Sequence, residues 1–512
     1  MKDILNNIQK YCNEIKIKDN FITIKPRDIK SLSIHLFRDL DCDLASVVCL
    51  KEENDFVIKY LYSYNKKDIF FIVEQKVNNS FKSLSKEIPA LNWFEREIYD
   101  MFGVEPIGHL DLRPLYIFPE NYPKDFHPLV DSSLKSDKSY GEYEYKDIKA
   151  EGVYQVLVGP IHAGIIEPGH FRFSMAGEPI LQLEIRHFWK HRGIEKLCEN
   201  KSIDDVLNIS QKISGDNALS FALSFAQTVE KICDIEISEF AKYSRMIAGE
   251  LERISCLLVD IGGVFQDIAY SLGAQHMSAL KEDIMRLIKK LSGNRFFKNF
   301  IVIGGVSKDI TPFYKETLKV LNDVEERVKL FDNLMENSAS ILERFETTGE
   351  IEKDIAKDLS CVGFCASASG RFNDFRKIHP YLLYKNVDFD SIILQSGDVY
   401  ARTKVKISHI FNSISIIKSS FKHISSMKEK EKVVSFSIKD GEAFGYSESS
   451  RGNIITFVKI KDAKVVRFKP RDPSFMNWQA IQFAVVGRTV DVIGDFPLVN
   501  KSLNLSYAGN DL

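Results

Sequence analysis

Along the first part of the chain, apolar and polar positions follow the period of strands with one helix among them. Short runs rich in apolar and β-branched residues predict strands at FITIK (21–25), LASVVCL (44–50), FVIKYLYSY (56–64) and DIFFIVE (68–74). The stretch DIKSLSIHLFRDL (28–40) has the spacing of an amphipathic helix. Together these elements predict a small α+β domain with a mostly antiparallel sheet.

Two further features divide the chain. The stretch LNWFEREIYDMFG (91–103) is predicted to be a helix, with Pro89 before it and Gly103 as a plausible C-cap. The composition then turns polar in DSSLKSDKSYGEYEYKDIKAE (131–151), which predicts a linker. We therefore expect an N-terminal domain over residues 1–130, a polar linker over 131–151 and a second domain over 152–512.

The second domain is predicted to be mainly helical. NALSFALSFAQTVEKI (217–232) and EFAKYSRMIAGELERISCLLVDI (239–261) are long and amphipathic. After Pro312, apolar residues recur at three-four spacing, which places them on one buried helix face: Leu321, Val324, Val328, Phe331 and Met335. A strand-rich region is expected at VVSFSIKD (433–440) and NIITFVKIKDAKVVRF (453–468). The predicted fold class is α+β, a small α+β domain followed by a mainly helical domain with small β-sheets.

Composition and charge narrow the classes of function. Among 512 residues, 69 Lys and Arg stand against 71 Asp and Glu, so the basic excess of a nucleic-acid-binding protein is missing. No run reaches the roughly 18 apolar residues of a membrane span, and the start carries no apolar signal core. The eight cysteines are sparse and form no C-x-x-C pair, which favours a reducing, cytoplasmic location.

Two segments concentrate residues capable of chemistry. In EREIYDMFGVEPIGHLDLRPLYI (95–117), Glu95, Arg96, Glu97 and Asp100 either form an ion-pair network with Arg113 or lie on a solvated, salt-bridged surface. In residues 159–197, a Gly/Pro-rich loop contains His162 and His170 and leads into a hairpin that turns at Gly177. Spacing alone leaves open whether these histidines are ligands or ordinary surface residues.

These segments carry a resemblance to a known family. EREIYDMFGV and GHLDLRPL resemble the signature of the smaller hydrophilic subunit of complex I, the thirty-kilodalton type. GPIHAGIIEPGHFRF, GEPILQLEIR and HRGIEKL resemble the large subunit of energy-converting membrane-bound [NiFe] hydrogenases, such as formate hydrogenlyase, which is related to the hydrogenase-like subunit of complex I. Further similar stretches include ASGRFNDFRKIHPY and SSRGNIITF. Their order is that of a fused small-plus-large subunit.

The chain departs from this family at the metal site. The hydrogenases hold nickel and iron with four thiolates from two C-x-x-C pairs. The segments that match them carry Ser214 and Asn217 in the first pair and Ser474 and Asn477 in the second. Neutral hydroxyls and amides do not replace soft, charged thiolates. Cys361 and Cys365 lie elsewhere in the alignment and are poor substitutes. The resemblance therefore implies a degenerate site that binds no NiFe centre.

A polar cavity is expected to remain. By resemblance, Arg451 matches the arginine over the bimetallic site, Asp472 opens the last ligand motif, and Glu195 lies in the HRGIE segment. Asp216 lies between the two lost ligands of the first pair. These candidate catalytic residues either converge in a cluster with shifted pKa values or only pair to hold helices together.

The resemblance also bears on cofactors. In complex I the equivalent cavity binds quinone through a histidine and a tyrosine. The matching positions in this chain are Pro168 and Ile209, whose side chains cannot donate a hydrogen bond. His162, His170 and Tyr154 are the remaining candidates for hydrogen bonds to a quinone. No cysteine cluster for iron–sulfur and no G-x-G-x-x-G for a dinucleotide occurs. We expect no directly bound cofactor, a [4Fe–4S] cluster in a small partner subunit, and quinone or NAD(H) only in the wider complex.

The expected function follows from the family. The chain would be a peripheral-arm subunit on the cytoplasmic face of a membrane, with antiporter-like and other integral membrane subunits as partners, coupling electron transfer to ion translocation. Either the metal-free cavity reduces a quinone or another small acceptor, or the chain is a non-catalytic scaffold. An active hydrogenase requires bound nickel. The C-terminal tail, kept rather than cleaved, is expected to pack through apolar residues: Phe496, Pro497, Leu498, Leu503, Leu505 and Tyr507.

Overall fold

The computed structural model describes residues 2–131, 139–163, 166–486 and 493–512. Residues 132–138 of the predicted linker, and Gly164 and Ile165 of the predicted histidine loop, lie outside the described residues. The described helices and strands form a mixed architecture with several small sheets, which confirms the predicted α+β class.

The N-terminal part is a five-stranded sheet with helices against it. Its elements are α1 (Lys2–Gln9), β1 (Cys12–Lys18), β2 (Phe21–Pro26), α2 (Ile29–Ile34) continued by a π-helical turn (His35–Asp39), β3 (Asp43–Glu52), β4 (Asp55–Tyr64), β5 (Ile69–Val77), β6 (Ser80–Lys82), a 3-10 turn (Pro89–Leu91), α3 (Asn92–Phe102) and β7 (Glu105–Ile107). The strand order is β1-β2-β5-β4-β3, and within this described sheet only the β2–β5 pair is parallel. The four predicted strands and both helices are confirmed, whereas β1, an exposed and charged edge strand, was not predicted.

Gly103 ends α3 as the sequence predicts. It adopts the left-handed conformation at φ 71°, and its N–H bonds to the carbonyl of Tyr99. A Cβ at this position would lie 2.5 Å from the imidazole of His127, so space as well as the backbone angle requires glycine.

The remainder of the described chain is mainly helical. Its elements are β8 (Tyr154–Val158), β9 (His170–Met175), β10 (Ile180–Arg186), α4 (Ile194–Leu197), α5 (Ile203–Ser210), α6 (Ala218–Cys233), α7 (Glu239–Asp267), α8 (Ser271–Ser292), β11 (Ile301–Val302), β12 (Gly305–Val306), α9 (Tyr314–Glu336), α10 (Ala339–Phe345), α11 (Lys353–Asp358), α12 (Gly363–Ala368), α13 (Phe375–Ile378), α14 (Val399–Ser426), β13 (Gly441–Ser449), β14 (Gly452–Lys461), β15 (Lys464–Arg471), α15 (Pro473–Asn477), α16 (Ile481–Val485), α17 (Phe496–Leu503) and α18 (Tyr507–Asp511), with 3-10 turns at Thr311–Phe313, Tyr384–Asn386, Trp478–Ala480 and Ile493–Asp495.

The helices surround α7, which packs against α8, α14 and α17. The five apolar residues predicted on one face of α9 are all buried, which confirms that face. The hairpin β9–β10 and the antiparallel strands β14 and β15 also lie where they were predicted. None of the helices in the described ranges combines the length and the apolar composition of a membrane span. All eight cysteines are buried free thiols.

The predicted strand at VVSFSIKD (433–440) is wrong. This segment forms only an isolated bridge between Val433 and Gly305 and is almost entirely exposed, and the third strand of the sheet is β13 instead. Its alternating apolar residues have no core to face, since Val433, Phe436 and Ile438 are more than 40% exposed.

The core is continuous across the predicted domain boundary. One buried cluster includes Tyr60 and Trp93 from the N-terminal part together with Phe171, Trp478 and Leu503 from the remainder. A buried ion network crosses this boundary between the N-terminal part and the remainder, which we call the seam. Lys469 donates to Glu97 of α3 and, at 2.9 Å, to Glu195. Glu195 also accepts from Arg467. Tyr116 completes the shell of Glu97 with a 3.0 Å hydrogen bond.

Lys469→Met tests this seam. The substitution leaves the buried carboxylates of Glu97 and Glu195 without their shared cation, so we expect a loss of roughly 3–5 kcal/mol in the free energy of unfolding. The control Lys459→Met removes a partly exposed pairing partner on β14 and should change stability by less than about 1 kcal/mol. Equal losses in urea denaturation of the two variants would contradict the assignment of the seam to this network.

Candidate functional site

Asp472 begins α15 directly after β15. Its Oδ1 accepts the N–H of Ser474 at 2.7 Å, and Pro473 occupies the first helical position, an arrangement that commonly starts a helix. Asp472, Ser474 and Asn477 are all buried. The other oxygen of Asp472, Oδ2, has no hydrogen-bond partner among the described residues. Burial raises the pKa of this carboxyl above its usual range.

Ser214 and Asn217, the first pair of positions predicted to match metal ligands, lie just before α6. The Ser214 hydroxyl donates to Asp216 Oδ1 at 2.7 Å, and the Asn217 amide approaches the same oxygen at 3.3 Å. Asn217 also accepts from the hydroxyl of Ser450 at 3.3 Å. Asp216 is thus the acceptor around which this segment is arranged.

Arg451 lies in the turn between β13 and β14 and pairs with Asp216. Its Nη2 lies 2.6 Å from Asp216 Oδ2, and its Nε donates to the carbonyl of Asn504 at 2.5 Å. The Arg451 side chain is 4% exposed and that of Asp216 41%. Desolvation alone would raise the pKa of Asp216, but the charge and hydrogen bond of Arg451 outweigh it and lower the pKa.

The C-terminal tail joins the two pairs of positions that were predicted to match metal ligands. The N–H of Ser506 donates to the hydroxyl of Ser474 at 2.9 Å, and the Ser506 hydroxyl lies 3.1 Å from that of Ser214. Trp478 donates its indole N–H to the Ser506 carbonyl at 3.3 Å. The described tail is therefore packed, and of its six expected apolar contacts only Pro497 is exposed.

Asn477, the fourth position predicted to match a metal ligand, forms hydrogen bonds with the backbone of a neighbouring loop. Its Oδ1 accepts from the N–H of Val362 at 2.9 Å, and its Nδ2 donates to the carbonyl of Val362 at 3.2 Å. Gly363, the next residue, packs against the carbonyl of Arg451 so closely that a Cβ would lie at 2.5 Å. All four positions predicted to match metal ligands therefore make hydrogen bonds inside the protein.

An open cavity of about 330 Å³, the Arg451 cavity, lies beside these hydrogen-bonded residues. Ser214, Asp216 and Arg451 line it, whereas Asn217, Asp472, Ser474 and Asn477 do not. Nη1 of Arg451 has no hydrogen-bond partner within the described residues. The other polar and ionisable side chains of the lining are Glu167, Ser255, Cys256, Lys281, Asn500, Lys501, Asn504, Ser506 and Tyr507.

Glu195 does not join the candidate catalytic cluster. It lies in α4 and is held by Arg467 and Lys469 of β15 in the seam network, where these two cations lower the pKa of its carboxyl against the effect of burial. Alternate residues of a strand share a face, so the Arg467 and Lys469 side chains reach the same carboxylate. That alternation of basic residues in KVVRFKPR was the sequence signal for this network.

His162 and His170 hold their own loop together. His162 Nε2 is 2.8 Å from the carbonyl of Gly169, and His170 Nδ1 is 3.2 Å from that of Gly159. Neither histidine lines the Arg451 cavity, and neither do Pro168 and Ile209. Tyr154 is exposed on β8 and donates to the carbonyl of Gly177 at 2.7 Å.

The segment around α3 is buried, so a solvated surface is the wrong interpretation. Glu95 accepts from Ser83 at 2.5 Å and from the N–H of Leu84 at 2.7 Å. Asp100 accepts from the N–H groups of Leu115 and Tyr116 at 2.7 and 3.1 Å. Burial raises the pKa of Glu95 and of Asp100 to about 7. Glu95 and Asp100 thus accept mainly from backbone N–H groups. Of the three described acids of α3, Glu95, Glu97 and Asp100, only Glu97 forms a close ion pair.

No group of three or more His, Cys, Asp or Glu side chains suited to a metal ion occurs in the part of the chain that the structure describes. Cys361 and Cys365 are buried and do not line the cavity, whereas Cys256 does. Sequence reasoning missed Asn504 and Ser506, because the tail offers no signal for which of its polar atoms would enter the site.

Comparison with known protein families identifies two regions of the chain. A model of the 30 kDa subunit of respiratory-chain NADH dehydrogenase matches residues 22–137, and a model of the 49 kDa subunit matches residues 267–436. The chain therefore joins a small-subunit-type domain, named for the first match, to a large-subunit-type domain, named for the second. Over both matched regions the fused chain is similar to complex I-related subunits, as its sequence predicted.

Curated relatives come from both branches of the family. The fused chain is 28% identical over 446 residues to hydrogenase-4 component G of Escherichia coli, covering 85% of the chain and 76% of the relative. It is 29% identical over 406 residues to the C/D component of NADH-quinone oxidoreductase from Bacteroides fragilis, covering 74% of the chain and 75% of the relative. The likeness is therefore to hydrogenase-type and NADH dehydrogenase-type subunits alike.

A solved structure shares the fold. A chain of the membrane-bound sulfane sulfur reductase, an archaeal respiratory membrane complex, matches with a TM-score of 0.66 and 24% identity, covering 71% of the fused chain and 99% of that chain.

Gly509→Ala tests how tightly the tail closes the site. A Cβ at Gly509 would lie 2.2 Å from Asp472 Oδ2, so we expect a destabilisation of about 1–3 kcal/mol and faster proteolysis of the tail. The control Gly215→Ala has no atom within 4 Å of its added Cβ and should leave both unchanged. Unaltered proteolysis of the Gly509→Ala protein would show that the tail does not pack against Asp472.

The raised pKa of Asp472 predicts a pH dependence. The folded protein retains a proton that the unfolded chain has already released, so stability falls as pH rises from the ordinary aspartate range through the raised pKa. Asp472→Asn cannot ionise and can still accept from Ser474. The Tm of the variant should therefore gain on the wild-type Tm as the pH rises above the ordinary pKa of aspartate, about 4. A difference in Tm that stays constant, or that shrinks with rising pH, would contradict the prediction.

Proposed function

We propose that the fused chain is a peripheral-arm subunit of a membrane-bound, complex I-like or energy-converting-hydrogenase-related oxidoreductase whose own site binds no NiFe centre. It would couple electron transfer to ion translocation within that complex. The observation that carries this proposal is the chemistry of Ser214, Asn217, Ser474 and Asn477, whose hydroxyls and amides are engaged in hydrogen bonds with the protein.

These four groups do not fit nickel and low-spin iron. Such metals require soft, negatively charged donors, and a neutral serine hydroxyl or asparagine amide supplies neither property. Both atoms of the Asn477 amide are committed to Val362, and the hydroxyls of Ser214 and Ser474 are linked through Ser506. Nothing in this donor set replaces the thiolates.

The partners are proposed from the family. Relatives are named as components of a hydrogenase and of an NADH-quinone oxidoreductase, and a structural neighbour belongs to a respiratory membrane complex. By this likeness, electrons reach the fused chain from a [4Fe–4S] cluster in a small partner subunit. Antiporter-like membrane subunits would anchor the assembly at the cytoplasmic face of the membrane.

The Arg451 cavity supports reduction of a small polar acceptor better than of a quinone. Its lining includes the cations Lys281, Arg451 and Lys501. Nη1 of Arg451 is a buried donor with no hydrogen-bond partner among the described residues. Asp216 would fix the guanidinium in place. A quinone headgroup needs polar donors within mainly apolar walls, and the two positions that match the complex I donors are Pro168 and Ile209.

A scaffold without catalysis is the second candidate. The insertion of Ser506 between Ser214 and Ser474 favours it, because the tail occupies the space between two former ligand positions. In that case the Arg451–Asp216 pair would only join the tail to the turn between β13 and β14.

Metal content of the complex purified with its partner subunits is the first test. We expect iron from the partner cluster and only traces of nickel. Nickel near one atom per complex would overturn the proposal and restore hydrogen chemistry with unfamiliar ligands.

Arg451→Met then separates the catalytic candidate from the scaffold. If the cavity binds an acceptor, the purified complex should lose roughly 10–100-fold in acceptor reduction while it keeps its iron and its full set of subunits. Arg327→Met removes a partly exposed arginine of α9 that pairs with Asp323, and serves as the control. Wild-type rates in the Arg451→Met complex would favour the scaffold.

A further inference from the structure

A second cavity, of about 590 Å³, lies at the seam between the two parts of the chain. It is lined by residues of α3 and β10 and by Gln479, Gln482 and Phe483 beyond α15. The lining is strongly cationic. Its described residues include the basic side chains Lys86, Arg96, Arg113, Lys146 and Arg186, and only Asp111 and Glu184 as carboxylates.

Both carboxylates are already paired. Arg113 lies 2.7 Å from Asp111 and 2.6 Å from Glu184, and Lys146 lies 2.9 Å from Asp111. Glu184 also accepts from the hydroxyl of Tyr143 at 3.1 Å. These acids therefore neutralise the outer cations, and no carboxylate of the described lining is left for the remaining two arginines.

Arg96 and Arg186 make their hydrogen bonds to backbone carbonyls. Arg96 donates to Arg113 at 2.9 Å and to Pro114 at 3.0 Å, and Arg186 reaches the same Pro114 carbonyl at 3.4 Å. Arg186 also lies over the ring of Tyr143 at 3.3 Å. Within the described ranges, neither guanidinium has a carboxylate within ion-pairing distance.

Two cations that share one carbonyl in a buried setting repel each other and have lost most of their water. Arg96 is 8% exposed and Arg186 7%. Asp100, the acid behind them, is bonded to the N–H groups of Leu115 and Tyr116. Burial lowers the pKa of Arg186, and the neighbouring charge of Arg96 acts in the same direction. Adjacent guanidinium groups with no carboxylate of the described residues within ion-pairing distance are suited to bind a carboxylate or a phosphate.

We propose that Arg96 and Arg186 form a binding site for an oxyanion, a phosphate or carboxylate group that enters the seam cavity. The site is independent of the Arg451 cavity and of the loss of the metal ligands. Trp93, Leu110 and Phe483 add apolar surface to the same cavity, which suits an oxyanion carried by an organic molecule. Bound there, the anion would bridge α3 of the small-subunit-type domain and β10.

Titration of the full chain with inorganic phosphate, at constant ionic strength set by chloride, tests the site. Calorimetry should detect saturable binding to the wild-type protein, weakened at least about tenfold in Arg186→Gln and in Arg96→Gln. Arg286→Gln makes the same change on an exposed face of α8 and should bind like the wild type. Absence of saturable binding, or an equal loss in Arg286→Gln, would overturn the proposal.

Thermal stability separates a binding role from a structural one. Without oxyanions, Arg186→Gln should keep or raise the wild-type Tm, because it removes one of two repelling cations. Phosphate should then raise the Tm of the wild type but not that of the variant. A variant that is destabilised in oxyanion-free buffer and still gains Tm from phosphate would show that Arg186 is structural only.

Vesicle sedimentation identifies the source of the anion. Phosphatidylglycerol vesicles that retain the wild-type chain but not Arg186→Gln would assign a lipid headgroup. Phosphate binding in calorimetry without retention on these vesicles would assign a soluble anion. Equal retention of wild type, Arg186→Gln and Arg286→Gln, combined with unsaturable phosphate binding, would contradict the site.

Discussion

The hydrogen bonds of Ser506 determine how the centre of this protein is arranged. Its N–H, hydroxyl and carbonyl contact Ser474, Ser214 and Trp478, so a single tail residue joins segments that are far apart in the chain. Without it, the buried hydroxyl of Ser474 and the indole N–H of Trp478 would each lose a partner, which carries a cost of about 1–3 kcal/mol per group. The position of Arg451 follows as well, since it donates to a carbonyl of the same tail, two residues before Ser506.

Buried charge is the second constraint, and it is concentrated where the small-subunit-type and large-subunit-type domains meet. Lys469 forms ion pairs with one acid from each side of the seam, Glu97 and Glu195. The two parts of the chain therefore complete each other's ion pairs. Arg471 on the same strand donates to the carbonyl of Ala45 in the N-terminal sheet at 2.8 Å. A charge that finds its partner only across the seam favours a fixed association of the two domains.

Two polar sites result, with different chemistry. The Arg451 cavity has an ion pair at its wall, in which the charge of Asp216 balances that of the Arg451 guanidinium. Nη1 of Arg451 has no hydrogen-bond acceptor among the described residues. In the seam cavity, Arg96 and Arg186 lack such a balance within the described lining, whose acids serve other cations. One site is therefore suited to orient a polar acceptor and the other to attract an anion. The described structure thus contains two charged cavities, which differ in this charge balance.

The sequence by itself determined the classes of element, because apolar runs mark β2 to β5 and three-four spacing marks the buried face of α9. It also carried the resemblance to the family, because the family motifs are contiguous stretches. Prediction from local pattern was wrong at VVSFSIKD, where alternating apolar side chains pack against no core. It also missed β1, an exposed edge strand. Only the tertiary structure decided which polar residues share a site: it separated Glu195 from Arg451 and brought Ser506 between Ser214 and Ser474. The physical reason is that an ion pair or hydrogen bond depends on distances between side chains that are hundreds of positions apart. Such distances are set by how the helices and sheets pack, which no local pattern of residues records.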